Sequence, residues 1–186
     1  MKKKEETRMN IIETATELFM TKGYRATSTR KIAAKLGITQ PNLYHHFNNK
    51  EALYLAVIET LAADVSEHLT TVLTDPELTF SEKLTQMSIY LNKTHPFDFF
   101  MMLHDIHSEL SEELSKKIYV IWKENYQRPF VELFESYSGQ LRFGYSPEKI
   151  ASYFFNTIAP YIKKEEDSSS FSIQQVVELF IYGLLE

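Results

Sequence analysis

The chain has 186 residues, 44% hydrophobic and 24% charged, enough apolar content for a sizeable core but with no run near the roughly 18 apolar residues of a membrane span. It has no cysteine, which excludes disulfides, thiolate metal sites and cysteine nucleophiles. The net charge of −5 conceals an asymmetry, because residues 1–50 carry 10 Lys+Arg against 4 Asp+Glu, a net of +6, whereas residues 51–186 carry 10 against 21, a net of −11; a basic head on an acidic body suits contact with a polyanion.

The opening MKKKEETRMN is charged and lacks the continuous apolar stretch of a signal peptide, so a soluble cytoplasmic protein is expected. From about Glu5 to Lys22, Ile11, Ile12, Ala15, Leu18 and Phe19 recur at helical spacing, and Gly23 ends this first helix. Tyr24 and Ala26 are expected to seat the connection that follows. Thr27, Ser28 or Thr29 then caps a second helix that turns Ile32, Ala33 and Leu36 inward and Arg30, Lys31 and Lys35 outward. At Leu36-Gly37-Ile38 that helix stops on a residue free to take positive φ. A third helix starts almost at once, with Thr39 as its cap and Pro41 in its first turn, where a missing N–H costs nothing. Two short helices and a tight turn over about 28–47 form a helix-turn-helix.

Projected at about 100° per residue, Leu43 and Phe47 share one face with Ile38 just before them. Pro41 and His45 point nearly opposite, Asn42 and Tyr44 flank them, and Gln40 projects from the N-terminal end. Amides, a phenol and an imidazole with no acid among them suit base edges and phosphate oxygens. Lys50 opens a further helix, whose free N–H groups also attract an anion. The expected core of the head is Ile12, Ala15, Phe19, Ile32, Ala33, Leu36, Ile38, Leu43 and Phe47.

The remainder reads as helix throughout. A long helix over 51 to about 74 carries Leu53, Ala56, Val57, Thr60, Leu61, Asp64 and Leu69, and Asp75-Pro76 breaks it. Ser81–Lys93 turns Leu84, Met87, Ser88 and Leu91 inward. Phe97–Leu110 is short and very apolar. Glu112–Tyr137 is longer, with Pro129 expected to kink it or start a new segment. After a loop over Gly139–Ser146, the last two helices, Pro147 to about Ile162 and Ser172–Leu185, are apolar over more than one face, which points to an interface.

His95, Phe99, Phe100, Met102, Leu103, His104, Ile106, His107, Tyr119, Trp122 and Tyr126 could line an apolar cavity for a hydrophobic or flat effector. Residues of these types at helical spacing serve an ordinary core equally well. His104 and His107, at i and i+3 with His95 and Glu109 nearby, have a spacing that zinc could use, but pocket, core or surface roles are the preferred reading, and neither metal nor cofactor is expected. There is no nucleophile–base pair at a known spacing, no HExxH and no glycine-rich phosphate loop, so no enzyme is expected.

An amphipathic helix followed by Gly23-Tyr24, Thr29, Ile32-Ala33, Gly37-Ile38, Leu43-Tyr44, His46-Phe47 and Lys50-Glu51-Ala52-Leu53 resembles the DNA-binding domain of TetR-family transcriptional regulators over about the first third of the chain. Thr29-Arg30-Lys31 and Gln40-Pro41 also resemble the reading head of the tetracycline repressors within that family, from which this sequence departs at Asn42 and His45. The resemblance implies an all-α protein with a three-helix DNA-binding domain over 1–50 and a helical effector-binding and dimerisation domain over 51–186. It implies Arg30 on a guanine, Gln40 on an adenine and Pro41 on a thymine methyl, pairings that base chemistry permits. Thr29, Tyr44, His46 and Lys50 would hold phosphates, with Asn42 and His45 adjusting specificity. The helix after residue 50 would transmit ligand binding, and the last two helices would pair two subunits on a palindromic operator of double-stranded DNA. The function implied is a repressor released by a small-molecule effector. The alternatives are a regulator answering to a protein partner or acting as an activator and, more remotely, a small metal-binding protein with a basic head.

Overall fold

The computed structural model describes residues 2–94, 108–141, 144–162 and 171–184, and among these the regular structure is helical, with no β-strand. The helices are α1 (Lys2–Ala26), α2 (Thr29–Lys35), α3 (Gln40–Tyr44), α4 (Lys50–Thr74), α5 (Phe80–Thr94), α6 (Glu112–Trp122), α7 (Arg128–Ser136), α8 (Pro147–Ile158) and α9 (Ile173–Leu184). They form two compact units, the first built from 2–61 with 108–119 and the second from 62–94 and the described residues after 119.

In the first unit α1 is interrupted at Gly23, whose φ of 79° and ψ of 167° are non-helical. The chain behind the break is held by Thr27, fully buried with its hydroxyl donating to the Leu18 carbonyl at 3.0 Å. Ala26 stays exposed, so Thr27 and the buried Tyr24 seat the connection. Ile12, Ala15, Phe19, Ile32, Ala33, Leu43 and Phe47 are buried as expected, while Leu36 and Ile38 reach only half burial at the turn. Phe19, Tyr24 and Tyr54 add an aromatic cluster, with ring centroids 5.0–5.8 Å apart, that joins α1 to the start of α4. Later in the chain, Glu51 accepts from the backbone N–H and hydroxyl of Ser111 at 2.8 and 2.9 Å.

The second unit packs apolar faces of α4, α5, α7, α8 and α9 around Leu69, Leu84, Met87, Leu91, Phe130, Phe134, Phe154 and Val177. Buried Ser88 satisfies its hydroxyl by donating to the Leu84 carbonyl at 2.6 Å. The expected disturbance at Pro129 takes the form of a π-helical turn over Lys123–Gln127, directly before α7. There the Arg128 N–H reaches back five residues to the Lys123 carbonyl. A wider turn makes room for a ring that would clash with the preceding turn of an α-helix.

Phe97–Leu110 lies almost wholly outside the described residues. No helix of the described residues is long and apolar enough to cross a membrane.

Candidate nucleic-acid interface

The turn between α2 and α3 follows from its hydrogen bonds. Gly37, at φ 66°, donates to the Ala34 carbonyl at 3.2 Å, and Ile38 donates to that of Ala33 at 3.0 Å. This is the paired closure that a left-handed glycine permits at a helix end, and it frees the chain to start again at once. Thr39 then caps α3 by accepting from the Asn42 N–H, as Ser28 caps α2 by accepting from that of Lys31. Leu43, fully buried, fixes which face of α3 meets the core.

With that face settled, Pro41, Asn42, Tyr44 and His45 are exposed and Gln40 is half-exposed. Arg30 is exposed on α2 and makes no hydrogen bond or ion pair among the described residues. Its neighbours are committed to structure: Lys31 donates to the Ala26 carbonyl at 3.0 Å, and Lys35 pairs with Glu17.

Thr29, Gln40 and Tyr44 form a closed hydrogen-bonded set. Gln40 Nε2 donates to Thr29 Oγ1 at 3.1 Å and, more weakly, to the Tyr44 hydroxyl at 3.5 Å; Thr29 Oγ1 and the Tyr44 hydroxyl are 3.2 Å apart. Thr29 is buried, at 6% exposure, whereas Tyr44 remains 41% exposed. The Tyr44 phenol is held below its ordinary range, first by the Thr29 hydroxyl and then by the Gln40 amide, against an opposing effect of burial.

At the far end, Lys50 donates to the Tyr24 carbonyl at 2.5 Å, and its ammonium lies 3.8 Å from the centre of the Tyr24 ring. Both contacts keep the cation at the start of α4. His46 is half-buried, and its Nδ1 is buried without a hydrogen-bond partner in the described residues, leaving Nε2 as its outward nitrogen.

Two contributors went unnoticed in the sequence. Asn49 caps α4, its Oδ1 accepting from the Ala52 N–H at 2.7 Å, and so takes one of the N–H groups expected to attract an anion beside Lys50. An asparagine just before a helix start is the signal that could have revealed it. Arg8 lies over the Phe47 ring, 5.1 Å from its centre. No spacing rule links positions so far apart.

The expected effector residues divide sharply. His95, Phe99, Phe100, Met102, Leu103, His104, Ile106 and His107 lie outside the described residues, and with them the histidines weighed as metal ligands. Tyr119 is 61% exposed. Trp122 is half-buried, edge-on to Phe155 at 5.5 Å. Tyr126 is buried, and its phenol is pushed well up by burial and then by nearby Tyr90 and Asp64.

A cavity of about 830 Å³ lies elsewhere, along α8 and α9, lined by Tyr145, Ile150, Tyr153, Phe171, Leu179 and Phe180 among others. Its rim is unusually apolar for solvent: Tyr145, Tyr153, Phe171 and Leu179 are each more than half exposed.

Comparison with known proteins adds to this geometry. The family model described as "Bacterial regulatory proteins, tetR family" matches residues 11–57, the whole helix-turn-helix and its supports. The class D tetracycline repressor protein of Escherichia coli is 48% identical over 56 residues, 30% of this chain and 26% of that protein. The HTH-type transcriptional activator FasR of Mycolicibacterium smegmatis is 39% identical over 56 residues, with the same shares. The chain thus spans about a quarter of the length of these curated relatives. Among solved structures, the transcriptional regulator FadR of Bacillus subtilis in complex with stearoyl-CoA superposes with a TM-score of 0.75 at 22% identity, over 94% of this chain and 98% of that one.

Proposed function

This chain belongs to the tetR family of bacterial regulatory proteins by its N-terminal domain, and we propose that it is a transcriptional repressor that binds a palindromic operator as a homodimer and is released by a small hydrophobic effector. The observation that carries the reading is the intact turn at Gly37, which leaves Arg30, Gln40, Pro41, Asn42 and His45 facing outward on a head with a net charge of +6. In this reading Arg30 takes guanine, Gln40 adenine and Pro41 a thymine methyl, while Asn42 and His45 tune the site. Tyr44, His46 and Lys50 hold phosphates and set the register of the head on the duplex.

One head makes few contacts, so a second must be added at about one helical turn, roughly 34–36 Å. The uncovered apolar face of α8 and α9 supports pairing of two subunits there, since a face of this kind is covered when it works. The cavity along that face then belongs to the subunit interface, and the effector site is sought in the helices before it. Effector control draws support from the fold shared with FadR, whose solved complex holds stearoyl-CoA. Activation is the second reading, favoured by the likeness of the head to that of FasR.

The test is a selection of bound duplexes from a random pool by the full chain, followed by binding of the selected duplex by the Gln40→Ala variant. A palindromic consensus is expected, with Gln40→Ala flattening the preference at one position in each half-site. Binding with no consensus at low salt contradicts the reading. Release of the selected duplex by stearoyl-CoA, against fatty acids and flat aromatic compounds as comparators, then tests the effector class.

A further inference from the structure

We infer that Thr29 is a positioning residue that fixes the polarity with which Gln40 meets a base, and not a phosphate anchor. The inference rests on the DNA-binding reading of the head and adds a cause for its specificity.

A free glutamine can present either end of its carboxamide. With Oε1 and one N–H outward it matches the amino group and N7 of adenine; turned over so that N–H groups lead, it can donate to the two acceptors O6 and N7 of guanine. Discrimination between the purines therefore requires something that stops the turn. Here Gln40 Nε2 is drawn back by Thr29 Oγ1 at 3.1 Å, which leaves Oε1 as the outward acceptor. The second N–H has only the longer contact of 3.5 Å to Tyr44, so it is the one that can swing to N7. Adenine is satisfied by this arrangement, and guanine meets acceptor with acceptor.

Thr29 is well placed for this and poorly placed for phosphate. It is buried at the start of α2, with its hydroxyl fully engaged between Gln40 and Tyr44. Either hydroxyl can donate across the 3.2 Å between Thr29 and Tyr44. Once Tyr44 gives its own proton to a phosphate oxygen, which only accepts, the bond keeps a proton only if Thr29 donates, and Thr29 Oγ1 is left to accept from Gln40 Nε2. Tyr44, 41% exposed, keeps its own O–H for an outside acceptor. The three side chains then form one chain of donors, from Gln40 to Thr29 to Tyr44 and on to a phosphate oxygen. Base reading and backbone anchoring share an internal hydroxyl, and consecutive bonds of this kind strengthen one another.

The experiment uses the full chain and the duplex selected from a random pool. Gln40→Ala identifies the position that Gln40 reads, and duplexes with adenine, guanine, cytosine or thymine there are compared for wild type, Thr29→Val and Thr29→Ser. Wild type is expected to favour adenine over guanine by about tenfold or more, the scale of one good bidentate pair. Thr29→Val keeps the shape and removes the hydroxyl; the preference is expected to fall to within about threefold. Binding to the rest of the site should persist. Thr29→Ser, which keeps the hydroxyl, should keep the preference, and helical content and melting temperature of each variant verify the fold. A uniform loss of affinity in Thr29→Val with the purine preference intact overturns the inference and returns Thr29 to the phosphates. A Thr29→Val variant that does not fold leaves Thr29→Ser and Tyr44→Phe to decide: loss of the purine preference in Thr29→Ser overturns the inference, and Tyr44→Phe, which removes the acceptor of the Thr29 proton, should weaken all duplexes and also narrow the preference, an unchanged preference there overturning it as well. Absence of any consensus in the wild-type selection overturns the regulator reading itself, a result distinct from these.

Discussion

The basic head and the acidic body solve opposite problems with their exposed surfaces. The head buries a small apolar core and turns outward polar atoms held in definite places, by Gly37 at the turn, by Ser28 and Thr39 at the caps and by Thr29 between Gln40 and Tyr44. The second unit buries Leu84, Met87, Phe130 and Phe154 completely, yet leaves Tyr153, Leu179 and Tyr182 more than half exposed on its last two helices. Specificity needs fixed donors and acceptors, whereas association needs apolar area and shape. In the proposed function, one surface selects what is bound, and the other sets how many heads select together.

The largest expected effect breaks the comparison at the second surface. Tyr153→Asp combined with Leu179→Asp adds charges to exposed positions, so the monomer should stay folded. Operator affinity should fall by about 100-fold or more with loss of linked binding, although no reading residue has changed. Sedimentation should show monomers, and a variant that remains dimeric with full affinity would detach α8 and α9 from assembly.

Next in size, Lys50→Ala tests whether the head grips by charge. Each dimer should lose two phosphate contacts, lowering the slope of log affinity against log salt by about 2 while base preferences persist. An unchanged slope would mean that Lys50 stays with Tyr24 when DNA is bound.

Gly37→Ala sharpens the account of the turn. A Cβ at Gly37 meets nothing within 4 Å, so the cost should come from the left-handed backbone alone, about 1–2 kcal/mol by denaturant titration.

The smallest effect concerns the second unit and pH. The Glu82 carboxyl is held below its ordinary range by the hydroxyl and then the backbone N–H of Thr79, at 2.6 and 2.9 Å, as the return arm of a capping box. A carboxylate depressed in the folded state stabilises above its unfolded pKa, and that contribution disappears as pH falls through the folded value. Melting temperatures of Glu82→Gln and wild type should therefore converge on acidification, with a small difference at neutral pH because the group is fully exposed.

The head was legible because its function demands polar residue types at fixed short spacings. The turn, the Thr39 cap, the Leu43 and Phe47 face and the outward side chains of the third helix follow from periodicity and the chemistry of glycine, threonine and proline, whereas the Asn49 cap and the half burial of Leu36 and Ile38 emerge only in the fold. Thr29 was not legible in its positioning role, since its partner Tyr44 is 15 residues away and only the folded turn joins them. In the body the core residues Leu84, Met87, Ser88 and Leu91 emerged from helical spacing, and all are buried. Its site did not, because an apolar side chain carries the same signal whether it serves core, interface or pocket. Tyr119, Trp122 and Tyr126 have the spacing that a regular helix would keep on one face, but the π turn over 123–127 changes the register between them. Tyr119 is exposed and Tyr126 buried.

The central claim is that residues 28–50 read a sequence twice, through two linked heads. It is tested most directly by titrating the full chain with the selected duplex and with the same duplex carrying one scrambled half-site. The account predicts one dimer per duplex, steep salt dependence and a loss of about 100-fold or more on scrambling. Equal binding to both duplexes at moderate salt would contradict it.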